Sequence, residues 1–337
     1  MRAVTIAEDR SLVLADVPER ELGPGEVRVE VAACGICGSD LHLRPSPAVP
    51  AGAVMGHEFS GRLVELGEGV EDFGEGDRVA VFPWAPCGEC PMCRDGDVHV
   101  CMQAAATGIG LGANPGAYAE RIVVRADTLH RLPDSVSDEH GALVEPLAVG
   151  LHGIAVADTP TDRPVAVIGA GPIGVMTACG LRAKGYERIV VVERNAARRA
   201  RIERLGFASV GLDDVHMAVI GALGNELPAA VFECAGHPTA AQLAIELVRP
   251  RGRIALLGVL EEPSSISTLV LLVKEAEIRA SFAYRPGEFA EAVALIEAGR
   301  IPADDLITGT FPLEDAQALF EELVSPETEH LKVLLKP

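Results

Sequence analysis

The chain is poor in aromatic residues: they fill 4% of its 337 positions, with one Trp and three Tyr. That excludes the rows of stacking side chains that hold single-stranded nucleic acid. Basic residues are also in deficit, 29 Lys and Arg against 49 Asp and Glu, for a formal charge of −20. Such a surface repels phosphate backbones and anionic headgroups, so neither nucleic acid nor a membrane is an expected partner. No apolar run of about 18 residues is found, so no spanning helix is expected. The opening stretch MRAVTIAEDR has no apolar core of signal-peptide length. The cytoplasm is then the default address.

Apolar residues, by contrast, make up 48% of the chain, ample for folded cores. The length exceeds what one core usually supports, which predicts two domains. Eight cysteines in an intracellular chain read as metal ligands or buried thiols before disulfides.

The first half runs as short β segments broken by Gly and Pro: AVTI, SLVLADV, GEVRVEVAACG, SGRLVELG and GDRVAVF. These predict an irregular antiparallel β domain. Residues 133–145 read as a turn leading into a helix, with Ser137 or Asp138 as its cap. Past Asp162 the texture changes. Continuous Val/Ile/Leu strands such as PVAVIGA, RIVVVE, AAVFECAG and RGRIALLGV alternate with helical stretches. That is the pattern of a parallel sheet buried on both faces. The final strand, HLKVLLKP, needs a sheet to join and is expected to return to the first domain.

Three constellations carry chemistry. Cys87-x2-Cys90-x2-Cys93-x7-Cys101 places four thiolates on one short loop. That set suits a closed tetrahedral zinc, and with no open position its role is structural. His99, inside the loop, reads as a surface residue because four thiolates already satisfy the metal. A second set is dispersed: Cys37 in ACGICGSDLH, His57 and Glu58 in MGHEFSG, and Glu145 in LVEPLAVGLH. One thiolate, one imidazole and carboxylates can bind zinc and leave room for water or substrate. Cys34 makes a C-x2-C with Cys37 but reads as a buried strand residue. The third is the glycine-rich turn Gly169-x-Gly171-Pro172-Ile173-Gly174, right after an apolar strand and opening a helix. Its glycines permit the tight turn, close approach to a pyrophosphate and helix–sheet packing. The next strand ends in Glu193, about 20 residues on, where a carboxylate accepts both ribose hydroxyls of NAD and repels a 2′-phosphate.

With these residues in order, the chain resembles the zinc-containing medium-chain dehydrogenase/reductase family. The stretch Gly56-His57-Glu58-x2-Gly61-x5-Gly67-x2-Val70 fits that family's zinc signature, and Gly76-Asp77-Arg78-Val79, the four-cysteine lobe and the Gly169 turn follow in the family's order. Glu145-Pro146-Leu147 resembles its polyol and secondary-alcohol branch, which includes sorbitol, butanediol and threonine dehydrogenases. The resemblance implies an α/β fold: a GroES-like β domain (residues 1–148 and 285–337) with both zincs, and a Rossmann doubly wound parallel sheet domain (residues 149–284). It implies an active site in the cleft between them, where a Lewis-acid zinc stabilises the alkoxide and the carbinol carbon gives hydride to NAD. Ser39 and His42 match the relay that carries the proton out, and Asp40 matches the acid that orients His57. Either Glu58 or Glu145 replaces the second thiolate of a two-Cys, one-His site.

Cofactor contacts are expected at Gly169, Gly171, Pro172, Ile173, Gly174, Glu193, Arg194, Arg198, Leu257, Gly258, Val259, Phe282 and Ala283. The reading therefore implies two zinc ions per chain and NAD, with NADP less favoured because Glu193 faces the ribose. The partner is a small alcohol or its ketone, and a homodimer or homotetramer is implied. Sorbitol-type members carry a Tyr where this chain has Leu43 and an Arg where it has Ala283. Both losses point away from polyols and toward a small secondary alcohol or diol, with Phe59, Phe282 and Tyr284 as pocket walls. Two rival readings stand beside this one. A zinc-free quinone or enone reductase on the same fold would not need the complete ligand set. A non-catalytic NAD(H) sensor would give Ser39 and His42 no reason to sit beside a metal thiolate.

Overall fold

A computed structural model describes residues 1–111, 114–260, 262–325 and 328–337. The first seven strands are β1 (Arg2–Ile6), β2 (Leu12–Asp16), β3 (Glu26–Gly35), β4 (Glu58–Leu66), β5 (Arg78–Val81), β6 (Arg121–Arg125) and β7 (Leu129–Arg131). Then come β8 (Val165–Ile168), β9 (Ile189–Val192), β10 (Ala208–Val210), β11 (Ala230–Glu233), β12 (Arg253–Leu256) and β13 (Glu277–Ala280). The last two are β14 (Ile307–Pro312) and β15 (Lys332–Lys336).

The chain divides into two compact units. One comprises Met1–Glu145, Arg285–Glu297 and Ala303–Pro337; the other, Pro146–Tyr284 and Ala298–Pro302. Within the second, Arg300 donates to the Ala183 carbonyl at 2.9 Å, tying that short late segment in place.

In the first unit a seven-stranded sheet has the order β14-β15-β3-β4-β5-β7, with β6 also paired to β3, and β1 and β2 form a separate hairpin. The final strand pairs antiparallel with β3 and parallel with β14, so it does join the sheet of the first domain. Along β3, Val27, Val29 and Val31 alternate into the core, as the period of 2 requires. Ser137 is the cap of the short helix Asp138–Gly141, accepting from the His140 amide at 3.1 Å.

In the second unit a six-stranded sheet has the order β10-β9-β8-β11-β12-β13, every pair parallel. Strands β8, β9 and β11 are buried at every position, which explains the unbroken Val/Ile/Ala runs of β8 and β9. Helix Pro172–Ala183 follows β8 directly, with Gly171 at its N-cap and Pro172 as its first residue. A Cβ on Gly174 would lie 1.9 Å from the Gly169 carbonyl oxygen, so only glycine allows this turn and helix to meet.

One expectation needs correction. The helical stretch Asp138–Ala157, 20 residues with mean hydropathy 1.3, is by length and composition apolar enough to cross a membrane. Its apolar window is 78% buried inside the protein, which is how a core helix passes the same test.

Candidate active site and metal centres

Strand pairing explains why Cys37 and His57 meet. β3 and β4 run antiparallel with Gly35 opposite Glu58 and Cys34 opposite Phe59. Residues just past the end of β3 therefore neighbour those at the start of β4. Cys37 caps the short helix Gly38–Leu43, and its amide donates to Asp40 Oδ2 at 3.0 Å, the return bond of a capping box. One ligand atom each from Cys37, His57 and Glu58 lies within 4.8 Å of the others. Glu58 fits because its partner is glycine: a Cβ on Gly35 would come within 2.2 Å of the Glu58 carboxylate.

The imidazole is aimed. His57 Nδ1 faces Asp40 Oδ1 at 3.4 Å, and both atoms are buried with no other partner. His57 Nε2 lies 3.5 Å from Ser39 Oγ. A carboxylate behind one ring nitrogen leaves the other as the ligand atom, the usual support of a metal-bound histidine. Burial lowers the pKa of His57, but Asp40 and then Cys37 more than offset it, and it stands well above the ordinary value. In the chain alone, burial and then the Glu58 charge push the Cys37 thiol up; a dication beside the sulfur reverses that balance. Cys34 is fully buried, its thiol pushed far up by burial and by Asp40. It packs in the core beside Phe59.

Two residues of this site escaped the sequence reading. Lys332, on β15, is 1% exposed and donates to both Glu58 oxygens, at 2.8 and 2.5 Å, and to the Ile36 carbonyl at 3.1 Å. Burial opposes its charge, but Glu58, then Cys37 and, more weakly, Glu145 hold its pKa above the ordinary value. Tyr118, fully buried, donates to Asp40 Oδ2 at 2.6 Å and so stands behind the acid that stands behind His57. Neither had a local signal, since each partner lies far away in sequence.

Glu145 is buried in the first turn of helix Val144–Ala157, outside the three-residue cluster. Ser39 is half-buried and His42 exposed on the same short helix. Phe59 is a correction. It is 1% exposed in the core, because neighbours on a strand face opposite ways and Glu58 takes the site face. Tyr284 is likewise fully buried, while Phe282 is exposed; neither Phe59 nor Tyr284 is an open pocket wall. Leu43 packs partly buried against the core of the first unit.

The four-cysteine lobe also fits zinc. Its sulfurs all lie within 4.8 Å of one another, with neighbours at 3.5, 3.9 and 3.9 Å. Tetrahedral bonds of about 2.3 Å put sulfurs roughly 3.8 Å apart. Amides of Cys87, Cys90 and Gln103 donate to these sulfurs at 3.4–3.5 Å. Met102 and Cys93 backbone donors bring the Cys90 thiol down to about 6. His99 is another correction: the turn Val98–Val100 buries it to 8% exposure.

In the second unit a cavity of about 250 Å³ is lined by Gly169, Gly171, Glu193, Arg194 and Arg198, and also by Cys234, Ala235 and His237. Glu193 is fixed there: Oε2 accepts from the Ala170 amide and Oε1 from the Asn195 amide, both at 2.8 Å. Arg199 is turned away, donating to the Glu193 and Arg194 carbonyls. Leu257, Gly258, Val259, Phe282 and Ala283 do not line this cavity. Val259 and Phe282 are exposed, and Ala283 has a φ of 51°.

Comparison with known proteins agrees with both halves. Residues 23–134 match the family described as alcohol dehydrogenase GroES-like domain, and residues 172–298 match zinc-binding dehydrogenase. The 2-dehydro-3-deoxy-L-galactonate 5-dehydrogenase of Pseudoalteromonas atlantica is 34% identical over 89% of this chain and 88% of its own. The (R,R)-butanediol dehydrogenase of Bacillus subtilis is 32% identical, with all of both chains covered. Among solved structures, a zinc-binding dehydrogenase from Sinorhizobium meliloti 1021, bound to NADP, superimposes with a TM-score of 0.92. It is 31% identical, over 100% of this chain and 99% of its own. The protein therefore belongs to the zinc-binding medium-chain dehydrogenases, with a GroES-like domain and a Rossmann-type sheet, and is an alcohol oxidoreductase of their polyol and secondary-alcohol branch.

Proposed function

We propose that the protein holds two zinc ions and uses NAD to oxidise a small secondary alcohol or vicinal diol, or to reduce the matching ketone. The observation that carries this is the buried Cys37–His57–Glu58 cluster with Asp40 aimed at the far nitrogen of its imidazole. Cys37, His57 and Glu58 would hold the catalytic zinc, with Glu145 the second carboxylate available to it; Cys87, Cys90, Cys93 and Cys101 would hold the structural one. A zinc at the first site would supply a Lewis acid that makes the alcohol hydroxyl more acidic, and bound NAD would supply the hydride acceptor. Asp40 keeps the His57 Nδ1 proton in place. Ser39 would accept the hydroxyl proton while giving up its own, and His42, three residues on and so on the same helix face, would pass that proton to water.

Substrate size follows from the sequence. Leu43 and Ala283 stand where sorbitol-type members carry Tyr and Arg; neither side chain can bond an extra hydroxyl, and each hydroxyl buried without a partner costs roughly 1–3 kcal/mol. A curated relative named for butanediol supports the same class. The test is kcat/KM for 2-butanol, 2,3-butanediol, threonine and sorbitol. The small alcohol or diol should exceed sorbitol by about tenfold or more; sorbitol ranking first refutes the substrate class.

Cofactor choice rests on Glu193. Two backbone amides pin its carboxylate, so it cannot swing away from a 2′-phosphate. That clash costs on the order of 2 kcal/mol, roughly 30-fold, against which Arg194 and Arg198 work. NAD should therefore exceed NADP in kcat/KM, and Glu193→Ala should bring the ratio toward one. A wild-type ratio favouring NADP sinks this assignment.

We also infer a homodimer or homotetramer. β13 is the edge of its sheet, and the adjacent helix Thr268–Lys274 exposes Leu269, Leu272 and Val273 at 69, 72 and 72%. Open strand edges and exposed apolar patches favour association. Sedimentation of a monomer at micromolar concentration would contradict it. None of the eight cysteines is joined in a disulfide, and we place the chain in a reducing compartment such as the cytoplasm.

A further inference from the structure

We propose that Glu233 is a positioning residue for the dinucleotide cofactor, its buried carboxylate holding the loop after β11 against the loop after β12. This rests on the reading of the second unit as a nicotinamide-dinucleotide site. Glu233 ends β11, between β8 and β12 in the sheet, and is 4% exposed. Its Oε1 accepts from the amides of Ala235 and Gly236, at 2.8 and 2.9 Å. Its main-chain oxygen accepts from the amides of Leu257 and Gly258, also at 2.8 and 2.9 Å. A Cβ on Gly258 would come within 2.3 Å of the Gly236 nitrogen and 2.7 Å of Glu233 Oε2, so the two loops touch through this carboxylate.

The first loop reaches the cofactor cavity. Cys234, Ala235 and His237 line it together with Gly169 and Glu193, and Ala235 is packed against Gly169. Moving Ala235 therefore moves the glycine-rich turn. Burial raises the Glu233 pKa, while the Gly236, Ala235 and Gly258 amides oppose that rise. A carboxylate kept in so unfavourable a place serves the backbone groups around it, since a side chain with no acceptor oxygen leaves the Ala235 and Gly236 N–H donors unmet.

The experiment uses zinc-loaded protein with NADH, followed by its fluorescence, and steady-state turnover with the best alcohol. Glu233→Gln keeps an acceptor for the Ala235 and Gly236 amides but removes the charge and puts an NH2 group in place of Oε2 beside Gly258. The expected result is an NADH Kd and NAD KM raised about tenfold, the loss of one charge-assisted hydrogen bond, with kcat at saturating NAD within about twofold. An unchanged Kd, or a kcat that falls while Kd stays, overturns the proposal; a residue that only stabilised the fold would not split KM from kcat. If Glu233→Gln does not accumulate folded, Glu233→Asp keeps the charge one methylene short of the loop, and the same two outcomes decide. Wild-type protein that binds neither NADH nor NADPH would instead overturn the dinucleotide reading beneath it.

Discussion

Cys37→Ser should abolish turnover while the protein stays folded. A serine hydroxyl is not ionised near neutral pH, so the substitution removes a charged ligand where, among the described residues, three ligand atoms converge. Loss of outer partners of a metal site costs ten- to a hundredfold; loss of a direct thiolate ligand should exceed that, on the order of a thousandfold or more in kcat. Cys37 is half-buried at the cap of a six-residue helix and outside the core clusters, so circular dichroism should not change. Elemental analysis should fall from two zincs per chain to one, the survivor being the four-cysteine ion, which is closed and all-thiolate and should resist chelators longest. Cys34→Ser is the control. Its sulfur is fully buried in the core, so that change should lower stability and leave the zinc count at two. A Cys37→Ser protein retaining both zincs and more than a few per cent of turnover would remove Cys37 from the metal site.

The four-cysteine lobe was legible because its ligands are close in the chain, and the glycine turn because strand, turn and helix follow one another in a fixed pattern. The dispersed set was legible through residue types and resemblance, and β3–β4 pairing supplies the physical reason its members meet. Lys332 and Tyr118 were not legible. Lys332 reads as one polar position in a terminal strand; only the pairing of β15 with β3 brings its ammonium under Glu58. Tyr118 had no periodic or spacing signal, and its hydroxyl is explained by partners distant in sequence, Asp40 and the Gly35 carbonyl. Phe59 was misplaced by nearness in sequence to two ligands, although the two-residue period of a strand already assigns it to the other face. The exposure expected of His99 failed for a related reason: ligand arithmetic excluded it from the metal but says nothing of burial. Strands as short as β10, of three residues, carry too few side chains for a pattern to show.

Lys332→Met should destabilise the protein more than any other single change at the site. The Glu58–Lys332 pair is almost completely buried, at 0 and 1% exposure. Replacing one partner leaves Glu58 charged, dehydrated and unpaired, which costs about 3–5 kcal/mol, whereas a well-packed apolar substitute for both can be nearly neutral. The Ile36 carbonyl also loses a donor. For a domain of this size each kcal/mol shifts the melting temperature by roughly 2–4 °C, so a drop on the order of 10 °C is expected in chelator-treated protein. With zinc bound the drop should be smaller, because the dication gives Glu58 a further counter-charge beside that of Lys332. Zinc should therefore raise the melting temperature further in Lys332→Met than in wild type. Lys332→Arg, keeping the charge, should fall between them, and Lys332→Met combined with Glu58→Gln should recover part of the loss, since removing the orphaned charge makes the two effects non-additive. If Lys332→Met melts with wild type in the absence of zinc, the buried pair does not hold this corner of the fold together.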